Sequence, residues 1–492
     1  MAEKSLKKNA FYSFFKAFMT LVFPIITFPY ASRILTPEGI GKVNFANSIV
    51  SYFVMLAGLG ISTYATREAA KVRDNKIELI TFFKEIVLIN LISSFISYFI
   101  FFIFLLVVPK FNQYTLLLLI SSIRILFTTL GLDWFYSALE EFKYITIRSV
   151  IFQIISLLIL FIFVKTKEDI LWYVIFGLIS SVGSNICNFF YCRKFINLQV
   201  KVELNLKKHI KPIFIFFGMT VATSIYTMLD TSMLGFLSTD VEVGYYSAAT
   251  KLNHMILSLI VAITGVLLPR FSIYIKNKDY VNFQNLFDKS FSIITLLSIP
   301  LAAGLFLLAE PVTLFLSGKE YIASVKSMQI MTPIIYIISI ASIAGSKILP
   351  VMNKEKISLI SYIIGACSNL ILNFLLIPLY GSFGAAIGTL CAETFVTGFQ
   401  VIYLRKYIIN KNNLITLLQT LISTFFMSMS VILVCYLLNH ILLKIFFSVF
   451  VGIIVYVISL CLCKNKYFME YFNLIKGKII KNGKNSCGNN LV

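Results

Sequence analysis

Charged side chains are scarce in this sequence, since Asp, Glu, Lys and Arg make up 13% of its 492 residues. Ordinary soluble domains carry about 25% charged residues, and a soluble chain of this length needs polar surface to cover its cores. Apolar residues reach 58%, and the mean hydropathy is +0.87. This composition excludes most soluble enzymes, secreted disulfide scaffolds and disordered proteins, and it indicates an integral membrane protein.

Histidine and paired cysteine are also scarce, which bears on metal binding and catalysis. The three histidines, His209, His254 and His440, lie far apart in sequence. The eight cysteines lie mostly inside apolar segments, and none forms a Cys-x-x-Cys pair. Neither a disulfide framework nor a metal site is indicated. We therefore expect no cofactor, no metal and no enzymatic activity.

Acidic residues are about half as frequent as basic ones. The sequence has 22 Asp and Glu against 43 Lys and Arg, which gives a formal net charge of +21. In a soluble chain this excess would suggest a nucleic-acid partner. Here the basic residues lie mostly between apolar runs, and no nucleic-acid motif is present. The excess instead predicts cationic loops on the cytoplasmic side of a lipid bilayer.

The long apolar runs predict an all-α, polytopic membrane protein. A bilayer core needs about 20 apolar residues per helix, whereas transmembrane strands would need alternating segments of about ten residues, which are absent. The first run is too long for a signal peptide and lacks a small-residue cleavage site, so we expect it to stay attached. About fourteen spans are predicted, at residues 10–32, 43–65, 80–108, 114–138, 144–164, 170–191, 212–235, 245–267, 289–309, 323–347, 357–379, 382–404, 414–438 and 441–463.

Loop charges predict the orientation. With the N-terminus inside, about 30 Lys and Arg fall in inside segments and about 6 in outside segments, so both termini are expected to be cytoplasmic. The richest inside stretches are 67–76, 193–211, 270–289 and 464–484, whereas the outside turn 238–246 has no Lys or Arg. All outside loops are short, so none is large enough for an external catalytic domain.

Two parts of the chain resemble each other. Gly41 and Gly244 occupy matching positions in similar segments 203 residues apart, and Arg67 and Arg270 share that offset. The alternative is a coincidence of short matches. The consistent offset favours two parallel six-helix lobes around a central cavity, residues 1–200 and 201–410. Residues 411–465 would add two transmembrane helices, and residues 466–492 a cytoplasmic basic tail.

Charged side chains inside predicted spans are costly, so each one is a candidate site residue. Arg124 and Glu393 are predicted near the middle of their spans, too deep for an easy escape to water. Snorkelling to the headgroups is the alternative for Lys16, Arg148 and Lys326. Asp133 and Lys347 are predicted close to the membrane interface. Asp230 and Lys251 are predicted at a similar depth in the membrane, where they could form either a ligand site or an ion pair.

Uncharged polar residues form two stripes at helical spacing. Asn44, Asn47, Ser48 and Ser51 share one face of the second span, and Asn369 and Asn373 share a face of the eleventh. Such stripes bind either a neighbouring helix or a hydroxyl-rich ligand. Since embedded basic residues outnumber acidic ones, a cavity among them favours an anion such as phosphate or pyrophosphate. Pro24 and Pro29 should bend or loosen the first span.

Three segments carry a resemblance to a known family. They are residues 24–46, with Pro29-Tyr-Ala-Ser-Arg-Ile-Leu-Thr-Pro-Glu-Gly-Ile-Gly41 at their centre, residues 58–69, and Gly131-Leu-Asp-Trp-Phe-Tyr-Ser-Ala-Leu-Glu-Glu141 with Arg148 following. In these segments, and over essentially the whole chain, the sequence resembles the polysaccharide-transport (Wzx-type) flippases of the multidrug/oligosaccharidyl-lipid/polysaccharide exporter superfamily.

This resemblance implies an alternating-access carrier. It would move an undecaprenyl-diphosphate-linked oligosaccharide to the outer leaflet of the bacterial cell membrane for surface polysaccharide biosynthesis, with a polysaccharide polymerase and chain-length proteins as candidate partners. Lys16, Arg124, Lys251 and Lys347 would bind the diphosphate or acidic sugars, and Asn44 and Asn47 the hydroxyls. Asp133, Asp230 and Glu393, chosen by depth, are candidates for ion coupling or gate pairs.

Related functions remain as alternatives. Fourteen helices resemble a lipid II flippase, but the first span lacks the Arg-Asp pair expected there. That span also lacks the acidic residue expected of multidrug exporters. A membrane-embedded polysaccharide polymerase would carry a large external loop with arginines, and the external loops here are short. A non-transporting scaffold would be separated from a carrier by a transport assay.

The role given to Lys347 yields a first prediction. If its charge recruits the phosphate, Lys347→Glu should reduce polysaccharide export more than Lys347→Arg, which keeps a cation of different shape. Export is measured in cells that depend on each variant. Equal export by both variants would remove Lys347 from the site.

Overall fold

The fold is built from α-helices. In the computed structural model, residues 6–197, 199–265 and 268–470 are described, and no β-strand occurs in these ranges, so the predicted all-α class is confirmed. Most of the predicted tail 466–492 lies outside the described residues. The helices are α1 (Leu6–Gly58), α2 (Ile61–Val72), α3 (Lys76–Val107), α4 (Thr115–Thr129), α5 (Asp133–Ala138), α6 (Phe142–Phe163), α7 (Ile170–Leu178), α8 (Asn185–Tyr191), α9 (Lys207–Leu237), α10 (Asp240–Gly265), α11 (Leu268–Lys276), α12 (Tyr280–Leu307), α13 (Ala309–Leu316), α14 (Ser324–Met331), α15 (Ile334–Ile343), α16 (Leu349–Val351), α17 (Glu355–Tyr403), α18 (Arg405–Ile408), α19 (Lys411–Leu437) and α20 (Ile441–Leu462).

Short segments of other helix types interrupt this series. The segments Pro109–Tyr114, Cys192–Lys194 and Lys319–Tyr321 are 3-10 helices, and Ile179–Gly183 and Ala344–Ile348 are π-helical turns. The two π turns lie within the predicted sixth and tenth spans. Single π turns widen a helix and occur frequently at functional sites.

Ten stretches of the described chain are long and apolar enough to cross a bilayer. Two of them, Phe11–Val72 and Glu355–Tyr403, contain a kink residue with non-helical dihedral angles, Thr36 in α1 and Gly381 in α17, so α1 and α17 each hold two helices. Helices α9 and α10, with 31 and 26 residues, come in addition. This arrangement is compatible with the fourteen predicted spans.

The kink in α1 lies beyond the prolines that were expected to bend it. Helix α1 contains Pro24, Pro29 and Pro37, and its non-helical residue is Thr36, with φ 62° and ψ 171°. A proline ring clashes with the backbone of the residue before it and disfavours the helical conformation there. Pro37 therefore fixes the point at which the first membrane helix ends and the second begins.

Two predicted spans end earlier than hydropathy indicates. The second span was predicted to reach residue 65, but α1 ends at Gly58, and Leu59 has φ 44° before α2 begins. The fourth span was predicted to reach residue 138, but α4 ends at Thr129 and α5 follows as a separate helix. The apolar run continues through both turns, so hydropathy alone does not locate them.

The chain divides into two compact units. Unit 1 comprises Met1–Ser247, Leu316–Tyr321 and Leu370–Ala385, and unit 2 comprises Ala248–Phe315, Ile322–Asn369 and Ala386–Val492. In unit 1, α2, α3 and α5 share an aromatic core that includes Phe82, Phe83 and Trp134. In unit 2, α12 packs against α15 and α19, and α19 packs against α20.

A buried carboxylate ties the start of α9 to α3 within unit 1. Glu85 of α3 is fully buried and accepts hydrogen bonds from the Asn205 amide at 2.7 Å, from Lys208 Nζ at 2.8 Å and from His209 Nε2 at 2.8 Å. The other ring nitrogen of His209 pairs with the Tyr64 hydroxyl of α2 at 2.7 Å. The Glu85 carboxylate therefore accepts hydrogen bonds from Asn205, shortly before α9, and from the first turn of α9 itself.

Removing this carboxylate should loosen unit 1. Glu85→Ala leaves buried donors without an acceptor, and each such group costs roughly 1–3 kcal/mol. We expect a lower midpoint of thermal unfolding for the purified protein, measured by loss of the monodisperse gel-filtration peak. The exposed Glu168 provides a matched control, because Glu168→Ala should leave the midpoint unchanged. Equal midpoints for the two variants would contradict the role of Glu85.

Candidate functional site

A polar cavity of about 350 Å³ lies inside unit 1. It is enclosed by the first half of α1, the start of α5, α6 and the π-helical turn Ile179–Gly183 with the residues after it. Most of its lining side chains are polar or charged, although the surrounding helices are apolar. The polar lining residues are Lys16, Thr20, Asp133, Arg148, Ser149, Gln153, Ser180, Ser181, Ser184 and Asn185.

Asp133 is the centre of the charged part of this cavity. It is the first residue of α5, where Leu132 turns the chain in the left-handed conformation with φ 49°. Its Oδ1 accepts hydrogen bonds from Arg148 Nη2 at 2.8 Å and from Asn188 Nδ2 at 3.1 Å. Its Oδ2 lies 4.0 Å from Lys16 Nζ. The structure therefore brings together two predicted site residues, Lys16 and Asp133, and pairs Asp133 with Arg148 as well.

Arg148 is held more tightly than a surface cation. Its side chain is 5% exposed, and its guanidinium carbon lies 5.7 Å from the centre of the Tyr144 ring. Its Nε and Nη1 atoms are buried and have no hydrogen-bond partner among the described residues, so Asp133 is the group that compensates its charge. Snorkelling to the headgroups, one alternative considered from the sequence, does not describe this burial.

Arg124 and Asn47 form a second pair of predicted site residues. Arg124 of α4 donates from Nη1 to the Asn47 side-chain oxygen of α1 at 3.4 Å. Both residues and the nearby Asn44 are half-buried in unit 1. A guanidinium that contacts an amide oxygen keeps its full positive charge, because the amide does not neutralise it. This pair can therefore offer both a cation and an amide to an anionic, hydroxylated ligand.

Asp230 of α9 is part of a third polar group in unit 1. Its Oδ2 accepts a hydrogen bond from the Tyr246 hydroxyl at 2.5 Å, and its Oδ1 accepts one from Asn373 Nδ2 at 2.6 Å. All three side chains are buried. Asn373 belongs to the predicted stripe of the eleventh span, so that stripe serves contact between helices at this position.

The remaining predicted site residues belong to unit 2. Lys347 lies in the π-helical turn Ala344–Ile348 and donates to the Ser342 hydroxyl at 2.7 Å. Glu393 of α17 is 9% exposed, and Lys251 of α10 is half-buried. These positions are inside long apolar helices, where an ionisable side chain marks a functional site by default. Their roles stay predictions.

Sequence reasoning missed part of this cavity although a signal was present. Ser180, Ser184 and Asn188 are spaced four residues apart in an apolar span, and Ser181 and Asn185 repeat that spacing beside them. Residues four apart share a helix face, so this is a polar stripe. Asn188 donates to Asp133 and to the Gly131 carbonyl oxygen, and Asn185 donates to the Phe127 carbonyl oxygen at 2.8 Å.

The side chains of the described residues do not indicate a metal site. In residues 6–197, 199–265 and 268–470, no group of three His, Cys, Asp or Glu side chains lies close enough to hold a metal ion. The charged groups of the cavity are instead two cations and one carboxylate. Such a group binds an anion or a polar organic molecule more readily than a divalent cation.

Two family models and two named bacterial proteins match this chain. The family model described as polysaccharide biosynthesis protein matches residues 6–275, and the MatE model matches residues 216–375. The chain is 26% identical over 409 residues to the "Putative O-antigen transporter" of Escherichia coli (strain K12), covering 82% of this chain and 97% of that one. A protein of the same name from Shigella dysenteriae is 27% identical over 403 residues, with 80% and 99% coverage.

A solved structure also resembles the fold. The lipid II flippase MurJ in an inward closed conformation superposes with a TM-score of 0.72 at 19% sequence identity, covering 95% of this chain and all of that one. At this identity the likeness concerns the fold.

The pairing of Arg148 with Asp133 yields a testable prediction. In a double-mutant cycle of Arg148→Gln and Asp133→Asn, the two changes should be non-additive by about 0.5–3 kcal/mol, because each alone leaves one charge without its partner. The measurement is thermal unfolding of purified protein. The exposed pair Lys42 and Glu38, 2.5 Å apart, is a matched control for which we expect about 0–1 kcal/mol. Additive effects at Arg148 and Asp133 would contradict the pairing.

Proposed function

The chain belongs to the polysaccharide biosynthesis protein family, and from this membership we propose that it is a flippase for lipid-linked oligosaccharides. The observation that carries the proposal is similarity along nearly the whole length of a protein named as an O-antigen transporter, over 82% of this chain and 97% of that one. A relative matched over its full length shares the transporting part rather than an accessory domain. The protein would act as a carrier and not as an enzyme.

The substrate that we propose is an undecaprenyl-diphosphate-linked oligosaccharide. Stripping water from a diphosphate is costly unless several positive groups replace it. Lys16 and Arg124 in unit 1 supply two such groups, and Lys251 and Lys347 in unit 2 are the further candidates. Asn44 and Asn47 carry amides suited to sugar hydroxyls. The lipid tail would stay in the bilayer while the headgroup crosses.

The three embedded acids differ in the part that they can play. Asp133 is held by Arg148 and approached by Lys16, so its charge is largely compensated and suits a gate pair. Asp230 and Glu393 are buried in α9 and α17, and we assign them to ion coupling on the basis of their predicted depth. The carrier would alternate between two states of the lobes 1–200 and 201–410.

The location of the protein follows from the same proposal. The chain is a multi-pass membrane protein with ten apolar stretches in its described part. We place it in the bacterial cytoplasmic membrane with both termini in the cytoplasm, because basic residues are concentrated in the predicted inside loops. A polysaccharide polymerase and chain-length proteins are the partners that would use the flipped lipid.

A reconstituted flipping assay tests the proposal. Purified protein in liposomes receives a short undecaprenyl-diphosphate oligosaccharide, and the lipid reaching the opposite leaflet is measured with and without an imposed ion gradient. We expect protein-dependent flipping that falls about tenfold or more in Arg124→Ala, the effect of losing one charge-assisted contact. Arg124→Lys should retain part of the activity because it keeps the charge.

A matched control separates the site from general damage to an embedded cation. Lys444 lies in α20, outside the predicted repeat, and Lys444→Ala should flip at the parent rate. No flipping of several such lipids by well-folded protein would contradict the proposed function. Equal loss in Arg124→Ala and Lys444→Ala would leave the flippase but remove Arg124 from its site.

A further inference from the structure

Two glycines allow a backbone contact that no side chain would permit. A Cβ atom added to Gly41 of α1 would overlap the carbonyl oxygen of Asp240 and lie 2.6 Å from its carbonyl carbon. A Cβ atom added to Gly244 of α10 would overlap the carbonyl oxygen of Pro37 and lie 2.7 Å from its carbonyl carbon. Real Cβ atoms keep larger distances, so glycine is required at both positions for this approach.

The two glycine contacts are related by the internal repeat. Gly41 and Gly244 are 203 residues apart, and so are the residues that they face, Pro37 and Asp240. Gly41 therefore packs on Asp240, which corresponds to Pro37 in the other copy of the repeat. Gly244 packs on Pro37, which corresponds to Asp240. This reciprocity is the property of a contact around a two-fold axis. All four residues belong to unit 1, so the contact lies within one compact unit.

Two buried tyrosines each contact one of the two glycine-bearing segments. Tyr114 ends the 3-10 segment Pro109–Tyr114, and its hydroxyl donates to Asp240 Oδ1 at 2.6 Å. Tyr321 ends the 3-10 segment Lys319–Tyr321, and its hydroxyl donates to the Thr36 carbonyl oxygen at 3.0 Å. Tyr114 thus contacts Asp240, where α10 begins, and Tyr321 contacts Thr36, at the kink where the second part of α1 begins. Glycines and tyrosines together form what we call the closing contact.

The closing contact covers what lies behind it. Ser32, one turn before Thr36 in α1, is 1% exposed and contacts the Leu316 carbonyl oxygen at 3.4 Å. Phe45 is buried against Tyr114, with ring centres 5.0 Å apart. In the predicted orientation, residues 33–42 and 238–246 are at the external ends of their helices. In that orientation the contact would limit the access of water from the external end.

We propose that Gly41 and Gly244 are positioning residues of the transport cycle, whose reciprocal contact closes the external end of the carrier and separates when that end opens. This inference rests on the proposed function, because a carrier that releases its cargo outside must open there. The contact suits such a step, since two backbones without interlocking side chains separate without rotamer changes. The hydrogen bonds that hold the contact together are those donated by the hydroxyl groups of Tyr114 and Tyr321.

Accessibility of a buried reporter tests the proposal without substrate. Ser32→Cys is introduced into protein whose eight native cysteines are replaced by serine or alanine, and the protein is placed in vesicles of phosphatidylethanolamine and phosphatidylglycerol. The rate of labelling by a membrane-impermeant maleimide is measured. In Gly41→Ala and in Gly244→Ala we expect labelling to be roughly tenfold faster, because overpacking disfavours the closed state. The double variant should label little faster than either single one, since both disturb one contact.

Matched controls separate opening from a general effect of alanine. An added Cβ meets nothing within 4 Å at Gly58, in the same helix as Gly41, or at Gly304 in unit 2. Gly58→Ala and Gly304→Ala should therefore label at the parent rate. Tyr114→Phe with Tyr321→Phe removes both hydroxyls without adding volume and should also speed labelling, which keeps the test valid where an alanine variant fails to fold.

The outcomes distinguish this inference from the proposed function. Parent protein that labels rapidly, or variants that fold and label no faster than Gly58→Ala, would overturn the closing contact even where flipping is normal. Faster labelling in the glycine and tyrosine variants would support it even where no oligosaccharide lipid is flipped. Loss of flipping in Gly41→Ala together with faster labelling would place the contact within the cycle.

Discussion

A charged side chain inside a bilayer must find its partners within the protein, and this constraint organises unit 1. The carboxylate of Asp133 connects α5 with α6 and α8 through Arg148 and Asn188, and it faces Lys16 of α1. Because the Arg148 side chain is 5% exposed, breaking its contact with Asp133 would leave a buried charge that neither water nor lipid solvates. The polar groups that suit transport therefore also hold the helices together.

The same constraint divides the embedded cations into two kinds. Arg148 is already paired within the protein, since its charge is balanced by Asp133 and its other donors are buried beside Tyr144. Arg124 contacts an amide oxygen, which leaves its charge uncompensated by that partner. For the proposed function, a diphosphate would gain more from Arg124 than from Arg148, because Arg124 contacts an amide rather than a carboxylate. Lys16, 4.0 Å from Asp133, is intermediate.

Hydropathy and charge were sufficient to predict the all-α class, because it depends on local composition, whereas the depth of Arg124 and Asp133 stays a prediction. They did not predict the partners of these residues, since Asp133 and Asn188 are brought together by packing across 55 positions of sequence. The breaks after Gly58 and Thr129 also escaped prediction, because the apolar runs continue through them. Arg148 was recognised but not its burial, which depends on Tyr144 and Asp133 together.

The predicted internal repeat would explain why the contact at Gly41 and Gly244 is so close. When two copies of one unit face each other around a pseudo-two-fold axis, the same backbone position meets its own equivalent surface twice, and a side chain there would clash twice. Glycine at one copy alone would leave the other clash in place, so the approach requires glycine at both Gly41 and Gly244. On the proposal that this contact closes the carrier, the sequence match at an offset of 203 would be a steric requirement of the closed state as well as a sign of duplication.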